Sequence, residues 1–231
     1  MPPQPPATDH PGLKGEITLQ EPSRAQRTIA RRAAETRATI PDLELGAEVD
    51  ADAAMALVRE RGCSFTAVLV KACATALRGH PQANAAYRDG HYEMYSRVNI
   101  GVTVLTDEAY IAPTVLDADT KSLEQLTAEL DAVSARAQAG ELTPPELAGA
   151  TFTVTDLGEH GVSWASALIT PPQAGALVAG AVRTVPRLRD GVLATGHLLS
   201  LTLACDSRIL FGARAAGFLA GVAAELERGP Q

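Results

Sequence analysis

Residues 203–219 read LACDSRILFGARAAGFL, and the character of the chain changes twice within them. The apolar residues up to Cys205 are typical of a buried strand, and the residues from Gly212 onward favour a helix. Between the two elements, Asp206, Ser207 and Arg208 follow one another directly. The stretch therefore predicts one strand and one helix of a layered fold, with polar side chains in the connecting loop, where functional residues tend to lie.

The rest of the chain alternates strand and helix patterns in the same way. Ser23 and Ser64 are suited to cap predicted helices, and the apolar residues of 64–79 cover most of that helix's circumference. Strands are predicted within 43–50, 98–106, 109–117, 150–158, 164–172, 174–182 and 196–206, and helices within 23–39, 53–62, 64–79, 121–140 and 212–229. This pattern predicts an α/β (or α+β) two-layer sandwich, in which a mixed sheet carries helices on one side.

Composition limits the classes of function. The 231 residues are 46% hydrophobic with a net charge of −7, and no basic cluster is dense enough to indicate nucleic-acid binding. The three cysteines have no C-x-x-C spacing, so neither a zinc site nor a disulfide framework is expected. No apolar run approaches the ~18 residues of a membrane span, and the N-terminus lacks the regions of a signal peptide. We expect a cytoplasmic protein with a disordered Pro-rich tail at 1–15 and one domain at 16–231.

Histidine-based and nucleotide-binding motifs are missing from the chain. It has no G-x-G-x-x-G after the first strand, no phosphate-binding P-loop, no H-E-x-x-H and no G-x-S-x-G. Among the five histidines, His160 is the candidate for a catalytic role, because it lies in the glycine-flanked loop DLGEHGVSW directly after a predicted strand.

Several segments resemble, in order and spacing, the catalytic core of dihydrolipoyl acyltransferases, the central component of 2-oxo acid dehydrogenase complexes. The resemblance extends over about residues 22–228, and the segments that carry it are RTIARRAAETRATIPDLELGAEVD, SFTAVLVKACATALRGHPQANAAY, VNIGVTVLTDEAYIAPTVLDADTKSLEQLTAEL, GELTPPELAGATFTVTDLG and ALITPPQAGALVAGAV.

The resemblance implies a fold shared with chloramphenicol acetyltransferase and a homotrimer with active sites between neighbouring subunits. It implies acyl-coenzyme A as co-substrate, with a small-molecule acyl acceptor entering the channel from the other end and no covalently bound cofactor. The sequence shows no lipoyl domain, lipoyl-lysine motif or peripheral-subunit-binding segment. We therefore expect a free-standing enzyme or a remnant of one.

The opening stretch departs from the family at one motif. In the family the last strand ends in D-H-R-x-x-D/N-G, whose histidine is the general base; here the motif reads DSRILFG, with Ser207 at the histidine and Phe211 at the Asp/Asn position. Asp206 and Arg208 match, and Thr155, 52 positions before Ser207, matches the family's donor to the oxyanion. A serine hydroxyl does not titrate near neutral pH, so the resemblance implies a retained scaffold and oxyanion donor without the base.

Three functions stay open at the level of sequence. The first is an acyltransferase of a natural-product pathway that takes its acyl group from a coenzyme A or carrier-protein thioester. In it, His160, Asp156, Glu159 or an acidic acceptor replaces the base. The second is a non-catalytic trimer that serves as a scaffold or holds a ligand.

The third is a different reaction in the same channel, such as an elimination or cyclisation. Trp164 and Phe211 would then wall an apolar pocket, and Ser163 and Asp156 would contact the substrate. Each role has a purely structural alternative: Thr155 as an ordinary strand threonine, Arg208 as a salt-bridge partner only, and Phe211 as a core or channel-wall residue.

Overall fold

The fold is built on a mixed sheet whose longest strand is the one that ends at Asp206. A computed structural model describes residues 15–106, 110–189 and 191–230, so the tail expected at 1–15 lies outside the described residues except for Gly15. The helices are α1 (Arg24–Thr39), α2 (Asp52–Arg61), α3 (Phe65–Gly79), α4 (Leu123–Gln138) and α5 (Gly212–Arg228), and single 3-10 turns lie at Ala118–Thr120, Pro144–Leu147 and Gly158–His160.

The main sheet combines parallel and antiparallel pairs. The strands are β1 (Asp42–Asp50), β2 (Ala85–Arg88), β3 (His91–Met94), β4 (Ile100–Val102), β5 (Val104–Leu105), β6 (Tyr110–Ile111), β7 (Thr114–Val115), β8 (Phe152–Asp156), β9 (Gly175–Ala179), β10 (Arg183–Arg189) and β11 (Val192–Asp206). Their order is β1-β11-β9-β8-β4-β7, and β10 pairs with the first half of β11. The pairs β4–β8 and β8–β9 are parallel, and the other pairs of this sheet are antiparallel.

One face of the sheet is covered by helices, as the sequence predicts. Ser64 caps α3 through its hydroxyl, and ten residues of this helix are buried, which confirms that it lies deep in the core. Phe218 of α5 packs edge-on against Phe152 of β8, with 5.4 Å between the ring centroids. Both rings are fully buried, and losing one such ring typically costs about 3–5 kcal/mol of stability. The two-layer mixed α/β fold is confirmed.

The opposite face, which we call the outer face, is only partly covered. Residues 163–170 cross it, and the Thr36 hydroxyl of α1 donates a hydrogen bond to the Ile169 carbonyl oxygen at 3.1 Å. A small apolar cluster of Ile40, Ala167, Ile169, Ala176, Val178 and Ala204 forms there. The prediction of a strand at 164–172 is wrong, because this segment lies across the sheet and pairs with no strand in the described part of the chain.

Other boundaries differ from the sequence prediction for local reasons. The strand expected at 109–117 is divided into β6 and β7 around Pro113, which has no amide proton to donate. The strand expected at 98–106 is divided into β4 and β5. The hairpins β2–β3 and β10–β11 were not predicted, and β11 begins at Val192 rather than at Gly196.

Candidate active site

The loop after β11 is fixed by its own charged residues. Asp206 is 1% exposed, and its carboxylate accepts hydrogen bonds from Arg208: Nε to Oδ1 at 2.9 Å, Nη2 to Oδ2 at 2.7 Å, and the backbone amide to Oδ1 at 3.0 Å. These bonds raise the pKa of the Arg208 guanidinium above its already high value, so it stays protonated. The pair therefore acts as a clamp that sets the path of residues 206–208.

Two tyrosines of the β2–β3 hairpin complete this clamp. The Arg208 guanidinium lies 4.8 Å from the centroid of the Tyr87 ring, and the Tyr92 hydroxyl donates to the Arg208 carbonyl oxygen at 3.0 Å. The hairpin turns at Asp89-Gly90, where both residues have positive φ, as a two-residue hairpin loop requires. The Asp-Gly pair between tyrosines was the sequence signal that could have revealed this hairpin.

Ser207 uses its polar groups for a structural purpose. Its hydroxyl donates to the Pro41 carbonyl oxygen at 2.6 Å, and its amide donates to the same oxygen at 3.0 Å. These bonds join the end of β11 to the connection between α1 and β1. The hydroxyl proton is thus committed to a carbonyl, and the side chain has no basic atom that could take a proton at neutral pH.

Phe211 occupies the N-cap position of α5 without capping it. Its backbone is extended, its own side chain makes no capping hydrogen bond, and the residue is 47% exposed. Phe211 is therefore not a core residue of this chain, since nearly half of it is open to solvent, and its place in a channel wall stays a prediction.

Thr155 lies near the end of β8, on the outer face. Its hydroxyl oxygen is 2.7 Å from that of Thr103, so one hydroxyl donates to the other. Thr103 was missed by the sequence analysis. It follows β4, which pairs in parallel with β8 so that Gly101 lies opposite Thr153, and the same register brings Thr103 beside Thr155.

Asp156 anchors the loop that carries His160. Its Oδ2 accepts from the Thr66 hydroxyl of α3 at 2.8 Å, and its Oδ1 accepts from the Gly158 amide at 2.9 Å. Glu159 and His160 follow in a 3-10 turn, and both are exposed. In the described part of the chain the His160 imidazole has no hydrogen-bond partner.

Ser163 and Trp164 continue this loop onto the outer face. Ser163 packs so closely on Gly180 that a Cβ there would lie 1.9 Å from the Ser163 carbonyl oxygen. Trp164 is 65% exposed. It borders an open groove of about 380 Å³ whose other lining residues come from β1 and β11: Glu44, Leu45, Gly46, Ala47, Glu48, Ser200, Leu201 and Thr202.

The predicted site residues fall into two groups, which one chain does not bring together. Thr155 pairs with Val178, and Val178 pairs with Thr202. Ser207 lies five residues beyond Thr202 along β11. At ~3.3 Å per residue and ~4.8 Å between strands, Thr155 and Ser207 are about 17 Å apart along the strands and about 10 Å apart across them. No single small reacting group contacts both residues of the same chain.

Two features, a metal-binding group and a membrane-spanning helix, are not found among the described residues. No group of three or more His, Cys, Asp or Glu residues among them is arranged to bind a metal ion. Within the same residues, no helix is both long and apolar enough to cross a bilayer.

Comparison with known proteins agrees with the resemblance found in the sequence. Residues 14–231 match the model of the family described as 2-oxoacid dehydrogenases acyltransferase (catalytic domain). The dihydrolipoyllysine-residue acetyltransferase component of the Zymomonas mobilis pyruvate dehydrogenase complex is 32% identical over 229 residues, which are 93% of this chain and 52% of that protein. The chain thus spans about half the length of this relative.

Solved structures give the same result. A dihydrolipoamide acetyltransferase of Azotobacter vinelandii superimposes with a TM-score of 0.87 at 25% identity, covering 96% of this chain and 97% of that one. The catalytic mechanism of that enzyme has been investigated at a serine, a histidine 52 positions later and an asparagine four positions after the histidine. A chloramphenicol acetyltransferase shares the fold, with a TM-score of 0.59 at 14% identity over 85% of this chain and 94% of that one. The chain belongs to the acyltransferase (catalytic domain) family of the 2-oxoacid dehydrogenases.

Proposed function

We propose that this protein transfers an acyl group from a coenzyme A thioester to a small, acidic acceptor, in a homotrimer whose active sites lie between two subunits. The observation that carries the proposal is the placement of Thr155 and Ser207. Their separation of 52 residues equals that of the serine and histidine of the Azotobacter enzyme, which supports the match that the sequence resemblance implies. Because they are far apart in one chain, a shared site requires Thr155 of one copy and the Ser207 loop of another.

The first part of the proposed mechanism is stabilisation of the oxyanion. Attack on the thioester carbonyl places negative charge on its oxygen, and a hydroxyl already held in position stabilises this charge more in the transition state than in the ground state. Thr155 is such a group, because its hydroxyl is fixed beside Thr103 on a strand of the sheet. Removing one donor of this kind typically costs about 10²–10³ in kcat.

The second part concerns the proton of the acceptor. The Ser207 hydroxyl donates a hydrogen bond to the Pro41 carbonyl oxygen. The Asp156 carboxylate accepts hydrogen bonds from Thr66 and Gly158. The Asp206 carboxylate is paired with the Arg208 guanidinium. Neither Ser207 nor these two carboxylates is a free base. We therefore propose an acceptor that ionises near neutral pH, such as an acidic thiol or the enol of a natural product. The exposed imidazole of His160 is the group in the chain that we propose as an auxiliary base.

A non-catalytic trimer that binds a ligand is the second candidate. The hydrogen bond from the Ser207 hydroxyl to Pro41 favours it, because the residue at the base position serves the fold. Both candidates require the subunits to assemble, so sedimentation should give a trimer. They differ in whether the protein catalyses transfer of the acyl group.

The experiment is an assay of acetyl transfer from acetyl-coenzyme A to thiols and enols of graded acidity. We expect transfer to the most acidic acceptors at neutral pH, and a kcat that is about 10²-fold lower but still measurable in Thr155→Val. Equal rates for the wild type and Thr155→Val would contradict the proposed mechanism, and binding of coenzyme A without transfer to any acceptor would favour the non-catalytic trimer.

A further inference from the structure

We propose that Thr103 is a positioning residue for the proposed acyl transfer. Its hydroxyl donates a hydrogen bond to the Thr155 oxygen and thereby directs the Thr155 hydroxyl proton toward the acyl carbonyl. This inference rests on the proposed function. It assigns a role to a residue outside the DSRILFG motif and outside the candidate residues named from the sequence.

The geometry that supports this role is set by the backbone. The parallel register of β4 and β8 continues past Val102, where the Thr103 amide donates to the Val154 carbonyl oxygen at 2.9 Å. The two hydroxyl oxygens are then 2.7 Å apart, the usual distance for a hydrogen bond between hydroxyls. Both threonines are half-buried. The contact is therefore held by strand pairing and does not depend on a flexible side chain.

The pair contains two protons and uses one internally. In the described part of the chain, each of the two hydroxyls has only the other as its hydrogen-bond partner. When Thr103 donates, Thr155 keeps its own proton for an outside acceptor, and the bond it receives polarises its O–H group and strengthens it as a donor. When the direction is reversed, the outward proton belongs to Thr103. An oxyanion near Thr155 selects the first arrangement, because that arrangement points a proton at the developing charge.

The chemistry of the step needs no additional reactant. The acceptor anion forms a bond to the thioester carbonyl carbon, and the carbonyl electrons move to oxygen, which receives the hydrogen bond of Thr155. Collapse of the intermediate breaks the carbon–sulfur bond and releases coenzyme A as a thiolate, which takes a proton from solvent. Thr103 exchanges no proton with the substrate at any stage.

The test compares Thr103→Val, which keeps the shape of the side chain but removes the donor, with Thr103→Ser, which keeps the donor. We expect kcat to fall about tenfold in Thr103→Val with KM unchanged, because the lost interaction acts only in the transition state. Thr103→Ser should retain most of the activity. Thr114→Val on neighbouring β7 is the matched control, because the buried Thr114 hydroxyl has no hydrogen-bond partner among the residues that the structure describes.

A double-mutant cycle distinguishes positioning from a structural role. With Thr155→Val as background, Thr103→Val should cause no further loss of kcat, since Thr103 acts through Thr155. An equal loss in both backgrounds, or full activity of Thr103→Val in the wild-type background, would overturn the inference while leaving the proposed function intact. A wild type that binds no acetyl-coenzyme A and transfers no acetyl group would overturn both.

Discussion

The Ser207 hydroxyl and the Pro41 carbonyl oxygen form a hydrogen bond of 2.6 Å that joins the end of the longest strand to the start of the first. The loop after β11 is thus held from both sides, by this bond and by the Asp206–Arg208 pair. The Ser207 side chain, which we propose to stand at the position of the Azotobacter histidine, thus serves the scaffold, and the loop around it has a defined conformation.

Because the loop is well defined, restoring a base at this position should restore base catalysis. We expect Ser207→His to raise the rate of transfer to weakly acidic thiols about tenfold or more, with a pH profile that rises through the imidazole pKa near 6.5. Ser207→Ala is the control: it loses the bond to Pro41, costs about 1 kcal/mol of stability and gains no activity. A Ser207→His protein that folds but shows no rate gain with any thiol would count against a retained substrate channel.

The N-terminus of α5 should be open to stabilisation. Phe211 has the extended backbone of an N-cap residue but no capping group. Phe211→Asn supplies one, and we expect the free energy of unfolding to rise by about 1 kcal/mol in thermal or denaturant unfolding. Phe211→Ala removes the exposed ring without adding a cap and should give no such gain. A stability of Phe211→Asn at or below that of Phe211→Ala would mean that the helix begins elsewhere.

The loop at 157–163 depends on the absence of a side chain at position 180. A Cβ at Gly180 would lie 1.9 Å from the Ser163 carbonyl oxygen and 3.0 Å from that of Val162, so the backbone itself must move. We expect Gly180→Ala to cost more than about 2 kcal/mol of stability, as overpacking against backbone does. Gly79→Ala, with open space around its Cβ, is the matched control and should be neutral. Equal stability of the two variants would show that the loop does not rest on Gly180.

Buried thiols should make stability depend on alkaline pH. Burial raises the pKa of Cys205 to about 11 and also that of Cys73. Between the unfolded value of ~8.5 and the folded value, the folded state holds protons that the unfolded chain has lost. The free energy of unfolding should therefore fall as pH rises above about 8.5.

The measurement is denaturant unfolding between pH 8 and 10.5. Cys205→Ala should reduce the dependence of the free energy of unfolding on pH, because it removes one of the two thiols whose pKa burial raises. Alkylation at pH 8 should be about 100-fold slower in the native protein than in denaturant. Rapid native labelling of Cys205 or Cys73, or a pH dependence that Cys205→Ala does not alter, would contradict the burial of these thiols.

The sequence was sufficient to predict those elements whose structure depends on a local pattern of apolar, polar and capping residues. The burial of α3 follows from its apolar circumference, and its start follows from the capping Ser64. The loop after β11 was located because polar residues follow directly on an apolar strand. That the family motif is substituted at Ser207 and Phe211 stays a prediction from the sequence.

Sequence was insufficient where a contact depends on distant partners. Tyr92 and Arg208 are 116 positions apart in the sequence, and Thr103 and Thr155 are 52 positions apart. Neither contact therefore has a local signal in the sequence. The segment 164–172 has the apolar content of a strand, yet its neighbours in space are α1 and the outer face. Burial on that face explains its composition without any strand pairing.

We propose that this chain keeps a site for a coenzyme A thioester, with Ser207 at the position that the family resemblance gives to the base. The most direct measurement is a calorimetric titration of the purified protein with acetyl-coenzyme A and with free coenzyme A, with hydrolysis of the thioester followed in the same samples. We predict micromolar binding of both ligands and slow hydrolysis that Thr155→Val diminishes. If neither ligand released or absorbed heat on titration into a protein that sediments as a folded trimer, the proposal of a retained coenzyme A site would be contradicted.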